Sequence, residues 1–378
     1  MAFAVNGTAI LLRKTSRNSK TCEFPQKGYF RIAKAMVINM KEYVVAVLGA
    51  TGAVGREMLR VLEERNFPLK ELRPLASARR VGQSVRFGGE AVPIRQAEEA
   101  AFLGADLVLG AVDAPLARRF APAIRQAGAV FIDNSSAFRL EDHVPLVVPE
   151  INGGDAFLHR GVIANPNCST IIALMAVAPI ARLSPIQTLV ASTYQAVSGA
   201  GSDGLAELKE QTLQWAAGQE GAEPPMEMPH RAFAHQIAFN VLPRIGGVER
   251  NGYTAEEMKL QNEGRKILHQ PEMKVSCTCV RVPVLRSHSI SATVVTKERL
   301  SLEKVRAALC AFPGLRLEDE PEEDVYPMPL FVSGKDEVLV GRLRRDLISQ
   351  RGLSLWCCGD QLRKGAATNA VEIAELIS

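Results

Sequence analysis

The segment around residue 50 constrains the fold most, because an apolar strand leads directly into a glycine-rich turn and then a helix. Tyr43–Leu48 (YVVAVL) is predicted to be a buried strand, and an amphipathic helix is predicted from Ala53. Between them lies GATGAVG, with glycines at 49, 52 and 55. Glycine permits a tight turn and close approach of backbone to a phosphate, which the free N–H groups of a helix N-terminus attract. The pattern predicts a nucleotide-binding turn, although glycine also occurs in such turns for steric reasons alone.

Further short strands and helical patterns alternate up to about residue 165. Strands are predicted at Arg73–Ala76, Leu107–Val112 and Ala129–Ile132, with a helix at Pro115–Gln126. This alternation is typical of a parallel, doubly wound sheet, so residues 41–167 are predicted to form a Rossmann-type α/β domain.

A different pattern begins at residue 168. An apolar helix at Ile171–Ile180 is followed by predicted strands at Gln187–Thr193, Lys274–Val282 and Ile290–Thr296. The last two are rich in β-branched residues and are expected to be antiparallel neighbours. Residues 168–360 are therefore predicted to be an α+β catalytic and dimerisation domain with a mixed or antiparallel sheet. Gly218–Gly252 is expected to be a loop excursion, and Gln361–Ile377 a helix.

Bulk composition excludes several classes of function. The chain has 378 residues, 47% of them hydrophobic and 23% charged, as in ordinary globular enzymes. A net charge of +4 is too small to suggest a nucleic-acid partner, and no apolar run is long enough to predict a membrane span. Seven cysteines without metal-like spacing predict no metal site and a reducing, cytoplasmic location.

Residues 1–40 are rich in Lys, Arg and Ser and are predicted to lie outside the fold. They are typical of an organelle transit peptide, or else translation starts at Met36 or Met40. We favour the second interpretation, since strand-like sequence begins directly at Tyr43.

The end of the second strand indicates which nucleotide the turn binds. An NAD enzyme usually has an acidic residue there, which bonds the ribose hydroxyls. This chain has Ser77, Arg79 and Arg80 instead, which suit a ribose 2′-phosphate, although a solvated basic loop has the same composition. NADP is the predicted cofactor. The turn residues predicted to contact it are Gly49, Thr51, Gly52, Ala53, Val54 and Gly55.

One cysteine has the setting of a nucleophile. Cys168, in NPNCST, is predicted at a helix N-terminus, where the helix dipole favours thiolate. A buried structural cysteine is the alternative, but polar turn-forming neighbours argue against it. His288, in RVPVLRSHS, follows a strand and is flanked by small polar residues. It is the candidate base, although the residues alone leave that role undecided.

Seven motifs together resemble the aspartate-semialdehyde dehydrogenases. They occur in the family's order and spacing: GATGAVG, DNSSAFR, NPNCST, YQAVSGAG, EEMK, RVPVLRSH and GDQLRKGAATNA. The resemblance extends from about Val44 to Ile377. It implies NADPH-dependent reductive dephosphorylation of aspartyl phosphate to aspartate semialdehyde and phosphate through a cysteine thioester, in lysine, threonine and methionine biosynthesis. It also implies a homodimer or homotetramer.

The same resemblance assigns roles to individual residues. It implies Cys168 as nucleophile, His288 as general acid/base, Gln195 positioning the acyl centre, Arg281 at the substrate carboxylate, Glu256 at its ammonium, and Lys259 and Arg139 at phosphate with Asn134 nearby. For the cofactor it adds Ser198, Gly199 and Asn369, so the C-terminal helix (361–378) is expected to complete the first domain. Seven positions separate Arg281 from His288, which suggests the end of one strand and the loop after it.

Three other functions share parts of this pattern. N-acetyl-γ-glutamyl-phosphate reductases have the same fold but normally flank their cysteine with Gly and an aromatic residue, where this chain has Asn167 and Ser169. A malonyl-thioester reductase would not need Glu256 as an amine partner. A non-catalytic NADP-binding paralogue is expected to lose Cys168 or His288, and both are present. The departures from the family are Arg80, where serine is common, and an untypical loop around Glu223–Arg231.

Overall fold

A computed structural model describes residues 41–217 and 228–378. The strands described between residues 41 and 167 are β1 (Tyr43–Leu48), β2 (Leu69–Ala76), β3 (Ser84–Phe87), β4 (Glu90–Pro93), β5 (Arg95–Gln96), β6 (Leu107–Gly110), β7 (Val130–Asp133) and β8 (Val162–Ala164). The helices there are α1 (Ala53–Glu64), α2 (Ala114–Gln126) and α3 (Pro149–Asn152). The predicted N-terminal extension, and residues 218–227 of the predicted loop excursion, lie outside the described residues.

Six of these strands form a parallel sheet in the order β5-β2-β1-β6-β7-β8, while β3 and β4 form a separate hairpin. The chain passes from β1 to β2 on one side and later returns through β6 on the other. The carboxyl end of β1 is therefore at a topological switch point, where such sheets bind ligands. The prediction of a Rossmann-type sheet is confirmed.

The rest of the chain builds a second six-stranded sheet, in the order β10-β9-β11-β14-β13-β12. Its strands are β9 (Ile186–Gln195), β10 (Lys274–Arg281), β11 (His288–Thr296), β12 (Leu315–Leu317), β13 (Val338–Arg345) and β14 (Gly352–Gly359). The helices are α4 (Cys168–Leu183), α5 (Gly201–Ala216), α6 (Ala255–Ile267), α7 (Leu302–Ala311), α8 (Pro329–Val332) and α9 (Thr368–Leu376), with a π-helical turn at Arg363–Ala367. The sheet is mixed, which confirms the predicted class of this part.

The pairing of β10 with β11 was predicted wrongly. β9 lies between them, parallel to β10 and antiparallel to β11. Alternating burial indicates which face of a strand is buried but does not identify its neighbour. The insertion of β9 has a consequence for the site, because it places Gln195 directly opposite Arg281 in the register.

Helix α4 carries Cys168 at its first position and connects the two parts of the chain. Its residues from Ser169 to Ile180 are all buried, as expected for a helix that is apolar all round. It contacts α6, α7, β11 and β14, as well as the π-helical turn.

Residues of α9 pack into the core formed by α1 and the first sheet, so the C-terminal segment returns to the first part of the chain.

Neither a membrane span nor a metal site is found in the part of the chain that the structure describes. No helix among residues 41–217 and 228–378 is long and apolar enough to cross a membrane. The same residues contain no group of three or more His, Cys, Asp or Glu side chains arranged to hold a metal ion.

Candidate active site

The glycine turn after β1 has no room for side chains at two positions. A Cβ on Gly49, where φ is +89°, would lie 2.4 Å from the carbonyl oxygen of Ala111. A Cβ on Gly55 would lie 2.2 Å from the carbonyl oxygen of Gly49. The N–H of Gly52 donates to that same Gly49 oxygen (3.1 Å), and α1 begins one residue later. The first N–H groups of α1 thus open beside the end of β1, where they can bind a pyrophosphate. The other predicted contacts, Thr51, Ala53 and Val54, are partly exposed there.

The predicted 2′-phosphate residues lie at the carboxyl end of the neighbouring strand β2. Ser77, Arg79 and Arg80 are all exposed, and the two arginines belong to a single 3₁₀ turn. Arg80 Nη1 is 3.4 Å from Gln83 Oε1. Two cations in solvent beside a glycine turn fit a phosphorylated ribose better than an unmodified one.

Cys168 is the first residue of α4, as predicted. The side chain of Asn167 caps this helix by accepting hydrogen bonds from the N–H groups of Ser169 (3.0 Å) and Thr170 (3.2 Å). The cap explains why the helix begins at Cys168.

The expected thiolate is not favoured in the unliganded chain. Desolvation raises the pKa of Cys168 to about 11, and the negative charge of Glu256 acts in the same direction. Lys259, Arg139 and Arg281 act in the opposite direction but do not outweigh burial. The helix N-terminus was expected to favour the thiolate, whereas desolvation of the thiol acts against it.

His288 is fully buried, and its ring is oriented by the backbone. Its Nδ1 accepts a hydrogen bond from the N–H of Ala196 (3.1 Å), whereas Nε2 is buried without a partner among the described residues. Burial, followed by the positive charge of Arg281, lowers the pKa of His288 to about 3. The imidazole is therefore neutral. His288 is the first residue of β11 and not part of a loop after β10, so the expected placement is corrected.

The register of the second sheet brings Cys168 and His288 to the same end of the molecule. His288 pairs with Gly359 of β14. A Cβ on Gly359 would lie 2.8 Å from Ile172, which is one turn after Cys168 in α4. Gly365 in the π-helical turn approaches the cysteine even more directly, since a Cβ there would lie 3.0 Å from the Cys168 Cβ.

Glu256 and Lys259 share a face of α6, and both are partly buried. Glu256 accepts hydrogen bonds from Lys259 Nζ (2.8 Å), Asn167 Nδ2 (3.0 Å) and Gln195 Nε2 (3.2 Å). Burial opposes ionisation of Glu256, yet Lys259 and these hydrogen bonds outweigh it and keep the pKa of Glu256 below its ordinary value. The carboxylate is consequently charged and lies beside the N-terminus of α4.

Arg281 ends β10 and lines a cavity of about 540 Å³ together with Phe233, His235, Leu242 and Arg244. Its Nη1 donates to the carbonyl oxygen of Ala196 (2.9 Å). A Cβ on Gly199 would lie 2.6 Å from this Nη1 and 3.2 Å from His288 Cε1. The absence of a side chain at residue 199 therefore allows Arg281 and His288 to lie close together.

Arg139 is buried behind the nucleophile turn. Its guanidinium donates to the carbonyl oxygens of Asn134 (2.7 Å) and Asn165 (3.0 Å), and to Glu263 Oε1 (3.0 Å). Asn134 is held in turn by Gly110 and by the side chain of Asn165. These contacts fix the plane of the guanidinium.

Of the remaining predicted cofactor residues, Ser198 and Asn369 are buried, whereas Gly199 is exposed. Ser198 accepts a hydrogen bond from Gln361, whose Oε1 also accepts the N–H of Ser287 (2.8 Å). Asn369 donates from Nδ2 to Val147 and Asn165, and its Oδ1 has no partner among the described residues.

Sequence reasoning missed several residues that organise the site, among them Asn167, Asn165 and Glu263. Asn167 is a helix cap, and its position directly before the apolar helix could have indicated this. Glu263 is seven residues after Glu256 and so shares a helical face with it, which was an available signal. Asn165 bonds Asn134 and Asn369 across long stretches of chain, and no local pattern predicts that.

Comparison with known proteins places the chain among semialdehyde dehydrogenases. The family model of the semialdehyde dehydrogenase NAD binding domain matches residues 44–158, and that of the dimerisation domain matches residues 177–364. The aspartate-semialdehyde dehydrogenase of Synechocystis is 46% identical over 88% of this chain and 96% of its own length. The Aquifex aeolicus enzyme is 47% identical over 89% and 98%.

The fold agrees with these matches. The crystal structure of aspartate semialdehyde dehydrogenase II from Vibrio cholerae has a TM-score of 0.84 at 42% identity, covering 89% of this chain and 98% of that one. A second structure of that protein, complexed with ASA, matches equally well. The nucleotide turn and these matches define an oxidoreductase that uses a nicotinamide dinucleotide and contains a semialdehyde dehydrogenase dimerisation domain. Identity above 40% over nearly the whole of these relatives settles the family. The chain belongs to the aspartate-semialdehyde dehydrogenases.

Proposed function

We propose that the protein reduces L-4-aspartyl phosphate to L-aspartate 4-semialdehyde with NADPH, releasing phosphate, in the biosynthesis of lysine, threonine and methionine. The observation that carries this proposal is the set of charges around Cys168. Arg281, Glu256, Lys259 and Arg139 are all close enough to influence the pKa of its thiol. They match the carboxylate, ammonium and phosphate of the substrate in number and sign.

Substrate binding explains how a cysteine with a raised pKa becomes a nucleophile. Glu256 is one cause of that raised pKa. A substrate ammonium ion at Glu256 would compensate its charge and so favour the thiolate. The Cys168 sulfur then attacks the acyl carbon, the bond from carbon to phosphate oxygen breaks, and the departing phosphate takes up the proton that the thiol lost. The product on Cys168 is a thioester.

His288 and Gln195 act at the acyl centre. Gln195 is tied to Glu256, so its amide is oriented toward the ammonium site. His288 presents Nε2 as the ring nitrogen without a partner, and it serves as the acid/base at the acyl oxygen. Negative charge that develops on this oxygen is stabilised by a donor already in place.

NADP is the proposed cofactor, and the residues present fit it. When bound, it supplies the hydride that reduces the thioester carbonyl. The glycine turn from Gly49 to Gly55, in which a Cβ on either of these two glycines would clash with backbone, would hold the pyrophosphate. Ser77, Arg79 and Arg80 would hold the 2′-phosphate, and Ser198, Gly199 and Asn369 would contact the nicotinamide side.

We further propose that residues 41–167 with 361–378 form the cofactor domain, and that residues 168–360 form the catalytic and dimerisation domain. A homodimer or homotetramer in the cytoplasm follows from the family. Cys168, Cys277, Cys279, Cys357 and Cys358 are free thiols, which suits a reducing compartment.

The test is a phosphate-dependent assay in the reverse direction. Aspartate semialdehyde, phosphate and NADP should give NADPH, and kcat/KM with NAD should be lower by about tenfold or more. N-acetyl-glutamate semialdehyde serves as the alternative substrate. Faster turnover of that compound, or turnover independent of phosphate, would contradict the proposal. Equal rates with NAD would contradict only the cofactor assignment.

A further inference from the structure

Glu263 is a buried carboxylate without an assigned role, and it touches two parts of the site. It is 2% exposed. Its Oε1 accepts a hydrogen bond from Arg139 Nη1 (3.0 Å), and its Oε2 accepts one from the backbone N–H of Asn167 (2.7 Å). Both oxygens are therefore engaged, each by a different segment of the chain.

The two partners have different functions. Arg139 is the proposed phosphate ligand, whereas Asn167 immediately precedes Cys168 and caps its helix. A carboxylate can accept from both because it has two acceptor oxygens, whereas an amide of the same size has one acceptor and would direct its NH₂ group at a donor. The site thus requires a charged residue at this position to keep both contacts.

The Arg139 guanidinium would have hydrogen-bond acceptors even without Glu263. The guanidinium already donates to the carbonyl oxygens of Asn134 and Asn165. The Glu263 carboxylate is a third hydrogen-bond acceptor, and it sets the plane of the guanidinium relative to the Cys168 turn. A guanidinium has more N–H groups than these partners use, so it can still donate to phosphate oxygens.

We propose that Glu263 is a positioning residue for the step in which the Cys168 sulfur displaces phosphate from the acyl carbon, because it joins the Arg139 guanidinium to the Asn167–Cys168 turn and fixes the distance between phosphate and sulfur. This inference rests on the proposed function, specifically on Arg139 as a phosphate ligand. Glu263 itself touches no reacting atom. Its influence passes through Arg139 and through the backbone of Asn167.

The test compares two buried carboxylates of the same helix. Glu263→Gln removes the residue in question, and Glu257→Gln is the matched control. Glu257 is also buried and also accepts two hydrogen bonds, from the N–H groups of Thr254 (2.7 Å) and Cys279 (3.0 Å), but neither leads to the proposed phosphate site. Both variants should lower Tm. Only Glu263→Gln should raise the KM for phosphate, by about tenfold, while the KM for NADP stays within about twofold.

A double substitution separates positioning from general destabilisation. If Glu263 acts through Arg139, adding Glu263→Gln to Arg139→Gln should change the phosphate KM by less than about twofold further. An unchanged phosphate KM in Glu263→Gln, or an equal rise in Glu257→Gln, would overturn the inference. Should Glu263→Gln fail to fold, Glu263→Asp replaces it: the shorter side chain should raise the phosphate KM less, and no rise would overturn the inference.

The single variant Arg139→Gln tests the proposal that Arg139 is a phosphate ligand. If this variant binds phosphate normally, the proposed phosphate ligand is wrong. If it loses phosphate affinity while Glu263→Gln does not, the assignment stands and only the role of Glu263 fails.

Discussion

The protein uses arginine in two contrasting ways. Arg79 and Arg80, beside the glycine turn, are exposed. Arg139 and Arg281, near Cys168, are each 7% exposed and bonded to backbone carbonyls. An exposed guanidinium contributes mainly its charge, which solvent screens, whereas a buried one contributes a fixed direction. The cofactor side should therefore tolerate substitution, and the catalytic side should not.

Cys168→Ala should distinguish the catalytic side from the cofactor side most clearly, because it should affect turnover far more than NADPH binding. Turnover should fall by roughly 10⁴-fold or more, because the thioester can no longer form. NADPH binding should change by no more than a few-fold, since the glycine turn is built from other segments. Steady-state rates and cofactor fluorescence titration measure the two effects. Residual turnover near that of the unmodified enzyme would refute Cys168 as nucleophile.

Arg281→Lys tests whether direction matters on the buried side. Lysine retains the charge but cannot bond both the Ala196 carbonyl and a substrate carboxylate in one plane. We expect kcat/KM for aspartate semialdehyde to fall roughly 10- to 100-fold, the effect of one lost charge-assisted hydrogen bond.

Arg79→Lys is the matched substitution on the exposed side, and it should alter kcat/KM for NADP by no more than about threefold. Equal losses in the two lysine variants would remove the distinction between buried and exposed arginines.

The same contrast explains what the sequence could predict. The strand, glycine turn and helix of the cofactor side are consecutive in the chain, so local patterns were sufficient to place Gly49 to Gly55. The catalytic side is assembled from segments up to two hundred residues apart, such as Asn165 with Asn369. Only a resemblance to a known family brought these segments together.

Two features of the structure could not be predicted from local sequence patterns. The position of β9 between β10 and β11 could not be predicted, because strand patterns encode a buried face and not a partner. Glu256, Lys259 and Glu263 form a charge pattern that is typical of a solvated helix surface, and their burial depends on the distant Asn167 turn. The titration of Cys168 likewise depends on four charged neighbours from three other segments of the chain.

Because desolvation raises the pKa of the Cys168 thiol, the rate at which Cys168 is alkylated should depend on pH. The pKa of Cys168 is raised to about 11, so its thiolate fraction should rise with pH throughout the range below that value. Iodoacetamide should therefore label Cys168 about tenfold faster per pH unit between about pH 7 and pH 10, after subtraction of labelling in Cys168→Ala. A plateau below about pH 8 would show that the thiol is already ionised in the free enzyme. His288, with a pKa lowered to about 3, should add no inflection in this range.

A moderate effect is expected when the exposed arginines themselves are removed. Replacing both Arg79 and Arg80 with alanine should weaken NADPH binding by about tenfold, because two solvent-exposed charges opposite a phosphate contribute modestly. NADH binding should remain within about twofold, since NADH has no 2′-phosphate. Added salt should reduce the difference between the two cofactors in the unmodified enzyme but not in the double variant. Equal weakening of NADPH and NADH would mean that the turn at Ala78–Arg80 supports the fold of the pocket and does not select the cofactor by charge.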